Sequence, residues 1–325
     1  MKKAIALLSC AALLITVTGC SGEEKMPQNT NVSGESQNDS SIMQDIDENV
    51  ASVEGSIKTE CETGKDTGNT STYTGYDPLP EIDLVSKAND GNKNLSTKKI
   101  GYSYGVSKNG VPHQNSVNAQ NEMEKYGGLA LDTKSSEKVL YLTFDCGYEN
   151  GYTSKVLDAL KEKGVPAAFF VTLTYIESCP DLITRMIKEG HIVGNHSNKH
   201  PCFADISRER MAQEIQDVDN YLRTKFGYSS PFFRFPEGAY SENALDLVNT
   251  IGYRSIFWSV AYVDWDPNTI RGKDYTIDTL MSRIHPGAVI LLHSVSPDNA
   301  AAMGEFIDKA RAEGYTFKSL SEAKF

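Results

Sequence analysis

From residue 139 to the end of the chain, short apolar runs alternate with segments in which apolar residues recur at helical spacing. The runs predict strands at 139–145, 167–171, 192–196, 232–235, 255–260, 288–293 and 316–320. The segments between them predict helices at 154–163, 180–189, 207–225, 242–250, 276–283 and 299–312. Such alternation is typical of βαβ units around a parallel sheet. About seven units favour an α/β fold of the incomplete or distorted (β/α)7-barrel type over an open doubly wound sheet.

The first 19 residues have the pattern of an export signal. Lys2 and Lys3 precede an apolar run over residues 4–17, which is shorter than the roughly 20 residues needed to span a bilayer. Gly19 and Cys20 follow it, in a pattern similar to the lipobox of bacterial lipoproteins. We expect a lipoprotein signal peptide over 1–19 and lipidation of Cys20, which would anchor an exported protein to the outer face of the cell membrane, facing the cell wall. The alternative is an ordinary secreted protein with a chance cysteine.

Residues 20–99 differ in composition from the rest of the chain. Asn, Ser, Thr, Gly and acidic residues dominate, without helical or strand periodicity. Such a segment buries too little apolar surface to offset its chain entropy, so we expect a disordered acidic linker, followed by a single catalytic domain over 100–325.

The net charge of −11 for 325 residues argues against a nucleic-acid partner. We expect a monomer.

Ionisable residues lie at the carboxyl ends of five predicted strands, where parallel α/β folds carry their chemistry. A single charge at a strand end is ordinary, but a set of this size indicates an active site. Its members are Asp145 with Cys146, His196 with His200, Arg234, Asp264 with Asp266, and His293.

Each of these residues has a chemical and a structural interpretation. His196 and His200 are spaced i, i+4, so a helical turn would bring both imidazoles within reach of one metal ion; a pair at the edge of the core is the alternative. Asp145 could accept a proton from water. Arg234 could keep that carboxylate ionised through a bidentate contact or form an ordinary ion pair. His293 ends an aliphatic strand and is either a core residue or a general acid.

These residues resemble the five ordered motifs of the polysaccharide deacetylase family, the NodB-homology carbohydrate esterases of family 4. The motifs appear over about residues 137–322 as 143–147, 196–200, 234–238, 264–265 and 291–293. Longer strings, such as residues 143–153 and 257–265, are similar to the subfamily that deacetylates N-acetylmuramic acid in peptidoglycan on the way to the muramic-δ-lactam of the spore cortex. This closer resemblance extends back to about Lys99.

The resemblance implies hydrolysis of N-acetyl groups on peptidoglycan glycan strands. Asp145 would be the base that activates water, and Arg234 would orient it. His293 would protonate the departing amine, and Asp264 would tune His293. The resemblance also implies a substrate pocket or oxyanion site formed by Glu237, Gly238, Trp265 and Tyr148.

Cys146 stands where the family has the aspartate that binds its metal. Together with the two imidazoles of His196 and His200, a thiolate would suit Zn²⁺. Alternatively, Cys146 packs as a small apolar residue, and the subfamily also tends to lack the aspartate. We therefore expect a divalent ion, such as Zn²⁺, that is weakly bound or absent.

Rival functions stay open at this point. A glycosidase could use Asp145 with Asp264 or Asp266 as its carboxylate pair, and N-acetylglucosamine or chitooligosaccharides could be the substrate of a deacetylase. A non-catalytic glycan-binding lipoprotein is a further alternative, favoured by Cys146. A disulfide between Cys179 and Cys202 is also left open.

Overall fold

The computed structural model of the chain describes residues 76–266 and 268–325. The predicted signal peptide, Cys20 and most of the predicted linker lie outside these residues. In the described ranges the strands are β1 (Ile100–Gly101), β2 (Val139–Cys146), β3 (Ala167–Val171), β4 (Ile192–Asn195), β5 (Phe232–Phe233), β6 (Ala239–Tyr240), β7 (Arg254–Ser255), β8 (Ala288–His293) and β9 (Thr316–Phe317). The α-helices are α1 (Gln114–Glu124), α2 (Thr153–Lys163), α3 (Leu173–Ser178), α4 (Pro180–Lys188), α5 (Arg208–Phe226), α6 (Glu242–Thr250), α7 (Lys273–Arg283) and α8 (Pro297–Ala312).

The strands that carry the predicted motifs form one parallel sheet. Within the described residues it has seven strands in the order β7-β5-β4-β3-β2-β8, with β9 paired to β2. The central strand β2 is buried along its whole length, which explains its continuous apolar sequence. The parallel α/β sheet with its helices confirms the predicted fold class.

The sheet curves into a distorted barrel. Its edge strand β7 pairs with β5, and the chain that continues from β7 reaches the opposite edge strand, β8. Val260 forms an isolated parallel bridge with Ile290, and the Ser259 N–H donates to the Val289 carbonyl (2.9 Å). Single bridges replace a continuous ladder here, so the strand predicted at 255–260 is mostly irregular. The barrel is incomplete, as the sequence predicted.

Successive side chains of β2 point to opposite faces of the sheet. Leu140, Leu142 and Phe144 pack outward in the core that the surrounding helices cover. Val139 and Tyr141 belong to the core inside the barrel. By the same alternation the two residues at the end of the strand separate, with Asp145 toward the interior and Cys146 toward the helices.

Helix ends follow local sequence signals. The Ser207 hydroxyl accepts a hydrogen bond from the Arg210 N–H at the start of α5, and Gly227 ends that helix with a φ of 58°. A serine at the N-cap and a left-handed glycine after the last turn are the expected boundary residues. The 19-residue helix packs against β4 and α6 and fits its predicted bounds closely.

The folded part begins earlier than the predicted boundary at residue 100. Leu84 is buried, and its N–H donates to the Gln216 side chain on α5 (2.6 Å). The Ile82 N–H donates to the Asn220 side chain (2.9 Å) on the same helix. Residues 76–99 are therefore docked rather than disordered, because side-chain amides of α5 take up their backbone polar groups.

Two helices and one pair of cysteines differ from the sequence-based expectations or settle a point that those expectations left open. Helices α1 and α3 were not predicted, the first because its apolar periodicity is weak and the second because it has only six residues. In the described ranges Cys179 and Cys202 are not bonded to each other, so the disulfide that the sequence left open is not formed. In the same ranges, each helix is too short or too polar to cross a membrane.

Candidate active site

Asp145 lies at the carboxyl end of β2 and is held there by Arg234. The Arg234 Nη1 donates to Asp145 Oδ1 over 2.7 Å. The guanidinium is fully buried and also donates to Thr143 Oγ1 (2.9 Å) and to the Ile256 carbonyl (3.0 Å). It stacks on the Phe170 ring at 4.3 Å. With its other donors engaged, Arg234 fixes both the position and the charge of the Asp145 carboxylate.

Two opposing effects set the acidity of Asp145. Burial would raise the pKa of this carboxyl group, because a charge is poorly solvated there. The Arg234 guanidinium, followed by the His196 and His293 imidazoles, outweighs burial and lowers the pKa below its ordinary value. Asp145 is therefore an ionised carboxylate at neutral pH, the state that a proton acceptor requires.

His196 and His200 meet through a tight turn rather than the helical turn that their spacing suggested. Ser197 and His200 adopt left-handed backbone conformations, with φ of 70° and 56°. The Asn195 side chain accepts from the Ser197 N–H (2.9 Å), and the Ser197 hydroxyl accepts from the His200 N–H (2.9 Å). This turn brings the two Nε2 atoms within 3.1 Å of each other.

The imidazole pair is oriented as a metal-binding pair would be. His196 Nδ1 lies 3.0 Å from the Arg234 carbonyl, which can only accept, so Nδ1 carries the proton and Nε2 presents its lone pair. Burial lowers the pKa of both imidazoles, that of His200 to about 3 with help from neighbouring His196, so both are neutral. The pair therefore fits a divalent ion as a two-nitrogen site.

A third ligand is not assembled with this pair. Within the described residues no group of three or more His, Cys, Asp or Glu side chains is placed to hold a metal ion. The Asp145 Oδ2 lies 3.6 Å from His196 Nε2, but its other oxygen is bound by Arg234. The predicted ligand Cys146 is on the opposite face of β2, where its Sγ is 3.3 Å from Ser294 Oγ. Burial raises the pKa of this thiol well above its ordinary value.

His293 is the last residue of β8 and is oriented by Asp264. The Asp264 carboxylate accepts from the His293 N–H and lies 2.8 Å from His293 Nδ1. Asn299 on α8 completes the arrangement by donating to Asp264 Oδ2 (2.6 Å) and to the His293 carbonyl (3.0 Å). Because Nδ1 faces the carboxylate, it carries the proton, and Nε2 lies on the side of the ring away from Asp264.

Asp145 and His293 occupy paired positions on neighbouring strands. Parallel pairing of β2 with β8 sets the Cα of Asp145 beside that of His293. The His293 side chain is 22% exposed and that of Asp145 11%, so both groups reach the surface at the same end of the barrel. The structure thus brings an ionised carboxylate and an imidazole to one cleft.

Among the predicted pocket residues, Trp265 lies beside His293. The Trp265 ring lies 6.0 Å from the His293 ring, edge to face. Burial, and to a lesser degree Asp266, raises the pKa of Tyr148, which is half-buried. Glu237 is left-handed with a φ of 59°, and its carboxylate faces Lys99.

Gly238 lies beneath Glu237 and must be a glycine. Its φ is 61°, and an added Cβ would lie 2.8 Å from the Trp258 ring. The loop 236–238 can therefore pass close to the barrel interior only with glycine at this position.

Sequence reasoning missed the residues that support these groups. Each contacts a predicted residue or the turn between His196 and His200, and none carries a distinctive spacing of its own: Thr143, Phe170, Asn195, Trp258 and Asn299. Asn299 could have been noticed, because it follows the Ser296-Pro297 helix start close behind His293.

Comparison with known proteins places this site in a family context. The family model for polysaccharide deacetylase matches residues 132–256. The chain is 49% identical over 201 residues to an uncharacterised 30.6 kDa protein of Geobacillus stearothermophilus, covering 62% of this chain and 76% of that protein. It is 44% identical over 204 residues to the peptidoglycan-N-acetylmuramic acid deacetylase PdaA of Bacillus subtilis, covering 62% and 77%. The solved structure of B. subtilis PdaA, a family 4 carbohydrate esterase, matches with a TM-score of 0.65 and 41% identity over 70% of this chain and 98% of that one.

Proposed function

Because the chain belongs to the polysaccharide deacetylase family, we propose that it hydrolyses the N-acetyl groups of peptidoglycan amino sugars, above all those of N-acetylmuramic acid. The name of its 44% identical B. subtilis relative supports this substrate. The observation that carries the proposal is the pairing of Asp145 with His293 on adjacent strands. Arg234 holds Asp145, and Asp264 holds His293. The product would serve as a precursor of muramic-δ-lactam.

The reaction divides between the two sides of the cleft. Asp145 accepts a proton from the water that attacks the acetyl carbon, and Arg234 keeps the carboxylate ionised and aimed. His293 donates a proton from Nε2 to the departing sugar amine, while Asp264 stabilises the imidazolium through Nδ1. Amine expulsion needs this proton, since an unprotonated amine anion is a very poor leaving group.

The tetrahedral intermediate would need donors for its developing oxyanion. The backbone at Glu237, which is in the left-handed region, would supply an N–H. Removal of one such donor costs about 2.7–4 kcal/mol in other enzymes. Trp265 and Tyr148 would line the sugar and acetyl positions.

Deacetylases of this family are generally metal-dependent. In this chain His196 and His200 would hold a divalent ion such as Zn²⁺, with Cys146 excluded from the ligand set by its position. When bound, the ion would polarise the acetyl carbonyl as a Lewis acid. Two protein ligands bind less tightly than three, so we propose weak metal binding.

The action on cell-wall glycan implies export. A lipid-anchored monomer tethered through Cys20 would place the catalytic domain, residues 100–325 together with the docked 76–99, outside the membrane. A radiolabelled lipid precursor that is incorporated by the wild type and not by Cys20→Ala would support this anchor.

Acetate release tests the proposed function. Purified protein is incubated with glycan strands that bear peptides or have been stripped of them, with chitooligosaccharides, and with and without a chelator. We expect acetate and free amines from the muramic acid of stripped strands. Reducing ends without acetate would indicate a glycosidase, acetate from chitooligosaccharides alone would indicate a glucosamine deacetylase, and binding without product would indicate a glycan-binding protein.

A further inference from the structure

A cavity of about 160 Å³ opens directly beside His293. The aromatic side chains of Tyr104, Trp265 and Tyr275 form much of its wall, and two arginines, Arg271 and Arg283, complete it. No carboxylate lines the cavity within the described residues. A positively charged cavity is unexpected in a chain with a net charge of −11, and its position beside the general acid links it to the substrate.

The two guanidinium groups are available to a ligand. Arg271 is exposed; its Nη1 donates to the Tyr275 hydroxyl, and its guanidinium stacks on that ring at 5.0 Å. Arg283 donates one hydrogen bond to the Ala261 carbonyl (2.6 Å). Within residues 76–266 and 268–325, neither guanidinium forms an ion pair with a carboxylate, so each retains donors for an anion.

Two acidic residues close to Arg271, Asp298 and Asp266, already accept hydrogen bonds. Asp298 Oδ2 accepts from the Arg271 N–H (2.7 Å) and the Gly272 N–H (2.9 Å). Asp266 accepts from the Asn268 N–H (2.9 Å) and the Thr269 hydroxyl. Both carboxylates hold the backbone of the loop before α7, and within the described residues neither forms an ion pair with Arg271 or Arg283.

The same contacts fix the cavity relative to the catalytic pair. Asp298 holds the backbone at Arg271, and the next residue, Asn299, holds Asp264 and thereby His293. Two consecutive residues in the first turn of α8 thus tie the arginine loop to the proton donor. A ligand group in the cavity would therefore keep a constant position relative to the substrate amide nitrogen that His293 protonates.

We propose that Arg271, assisted by Arg283, binds the lactyl carboxylate of N-acetylmuramic acid and so selects muramic acid over glucosamine; this inference rests on the proposed function. In N-acetylmuramic acid the lactyl ether stands on the ring carbon adjacent to the one that carries the acetamido group. The carboxylate therefore accompanies the scissile amide into the cleft and reaches the cavity when that amide meets His293. In N-acetylglucosamine a hydroxyl replaces the lactyl ether, and the guanidinium groups would be left without an anion.

The test combines a protein change with a substrate change. Initial rates of acetate release are measured on peptide-free glycan strands with the lactyl carboxylate either free or methyl-esterified. The enzymes are the wild type, Arg271→Gln and, as a matched control, Lys273→Gln. Lys273 is a nearby exposed cation that pairs with Glu305 (2.7 Å). Melting temperatures of the three proteins establish that the exposed substitutions leave the fold intact.

We expect esterification to lower kcat/KM of the wild type by about 10- to 100-fold, the effect of losing a charge-assisted hydrogen bond, mostly through KM. Arg271→Gln should lose the same factor on the free acid and nothing further on the ester, and Lys273→Gln should behave as the wild type. Equal acetate release from acid and ester by the wild type, or equal losses of Arg271→Gln on both substrates, would overturn the carboxylate site while leaving the deacetylase function in place. Absence of acetate from both the free-acid and the esterified strands would overturn the proposed function and this inference together.

Discussion

Cys146 and Ser294, the residues that directly follow Asp145 and His293, touch each other on the face of the sheet opposite the cleft, with Sγ and Oγ 3.3 Å apart. Ser294 Oγ also accepts from the Thr153 hydroxyl (2.9 Å) at the start of α2. This contact joins the carboxyl ends of β2 and β8 on the helix-covered face of the sheet. It thereby helps to fix the spacing between Asp145 and His293 on the other face.

Replacement of Cys146 by serine should leave metal binding and catalysis close to those of the wild type. The hydroxyl can keep the contact with Ser294, and a loss of about 1 kcal/mol in the free energy of unfolding is expected from the exchange of a buried thiol for a more polar group. Zinc affinity by calorimetry and kcat check this. A fall of about ten-fold or more in zinc affinity would indicate that the thiol is a ligand after all.

Loss of Arg234 should affect both stability and catalysis. Arg234→Met leaves the Asp145 carboxylate buried without its main partner, which costs about 3–5 kcal/mol in comparable buried pairs. It also favours the protonated acid, so acetate release should fall sharply. Urea unfolding and initial rates measure the two effects.

The matched control for this change is Arg254→Met. Arg254 is exposed, and its guanidinium stacks on the Phe325 ring at 4.1 Å. It has no role in the proposed reaction. Its unfolding free energy should change by about 0.5 kcal/mol or less. Equal losses in the two variants would contradict a special role for Arg234.

Two glycine-to-alanine changes should have opposite effects. A Cβ at Gly194 on β4 would lie 2.6 Å from the Phe170 ring, on which Arg234 stacks, so Gly194→Ala should displace that support and lower both stability and kcat. At Gly304 on α8 the Cβ would find ordinary contact at 3.5 Å, and Gly304→Ala should stabilise by up to about 1 kcal/mol. Thermal unfolding and acetate release distinguish them; a Gly194→Ala protein with unchanged kcat would show that Phe170 does not position Arg234.

Stability should decrease as the pH falls below neutrality. Burial lowers the pKa of His191 and His285, so the folded state resists protonation while the unfolded state takes up protons near pH 6.5. Because the unfolded state binds more protons in this range, each histidine contributes up to about 1.4 kcal/mol per pH unit to the slope of unfolding free energy against pH. Urea unfolding between pH 5 and 8 measures this slope, which His285→Gln should reduce. An unchanged slope in that variant would contradict the assignment.

The sequence predicted the parts of the site that depend on strand order. Parallel strands end at one edge of a sheet, so the strand order alone predicts that Asp145, Arg234 and His293 lie together. The predicted strand stopped at Asp145, whereas β2 extends to Cys146. With Cys146 included in the strand, the alternation of side chains would have placed Asp145 and Cys146 on opposite faces of the sheet.

Other parts depend on contacts that no local pattern encodes. The turn that joins His196 to His200 relies on left-handed Ser197 and on the Asn195 side chain. Residues 76–99 read as a linker because they are polar, yet amide side chains of α5 hold them in place. Such long-range hydrogen bonds appear only when the chain is folded.

Acetate release from peptide-free glycan strands by wild type, Asp145→Asn and His293→Ala tests the central claim most directly. If the carboxylate and the imidazole act on one amide as base and acid, each variant should remain folded and lose about 10²–10⁴-fold in kcat. Asp145→Asn should also lower the free energy of unfolding, because the buried Arg234 loses its carboxylate partner. The double variant should lose little more activity than either single variant, since the two groups act as a unit. Wild-type rates in either folded variant would contradict the account.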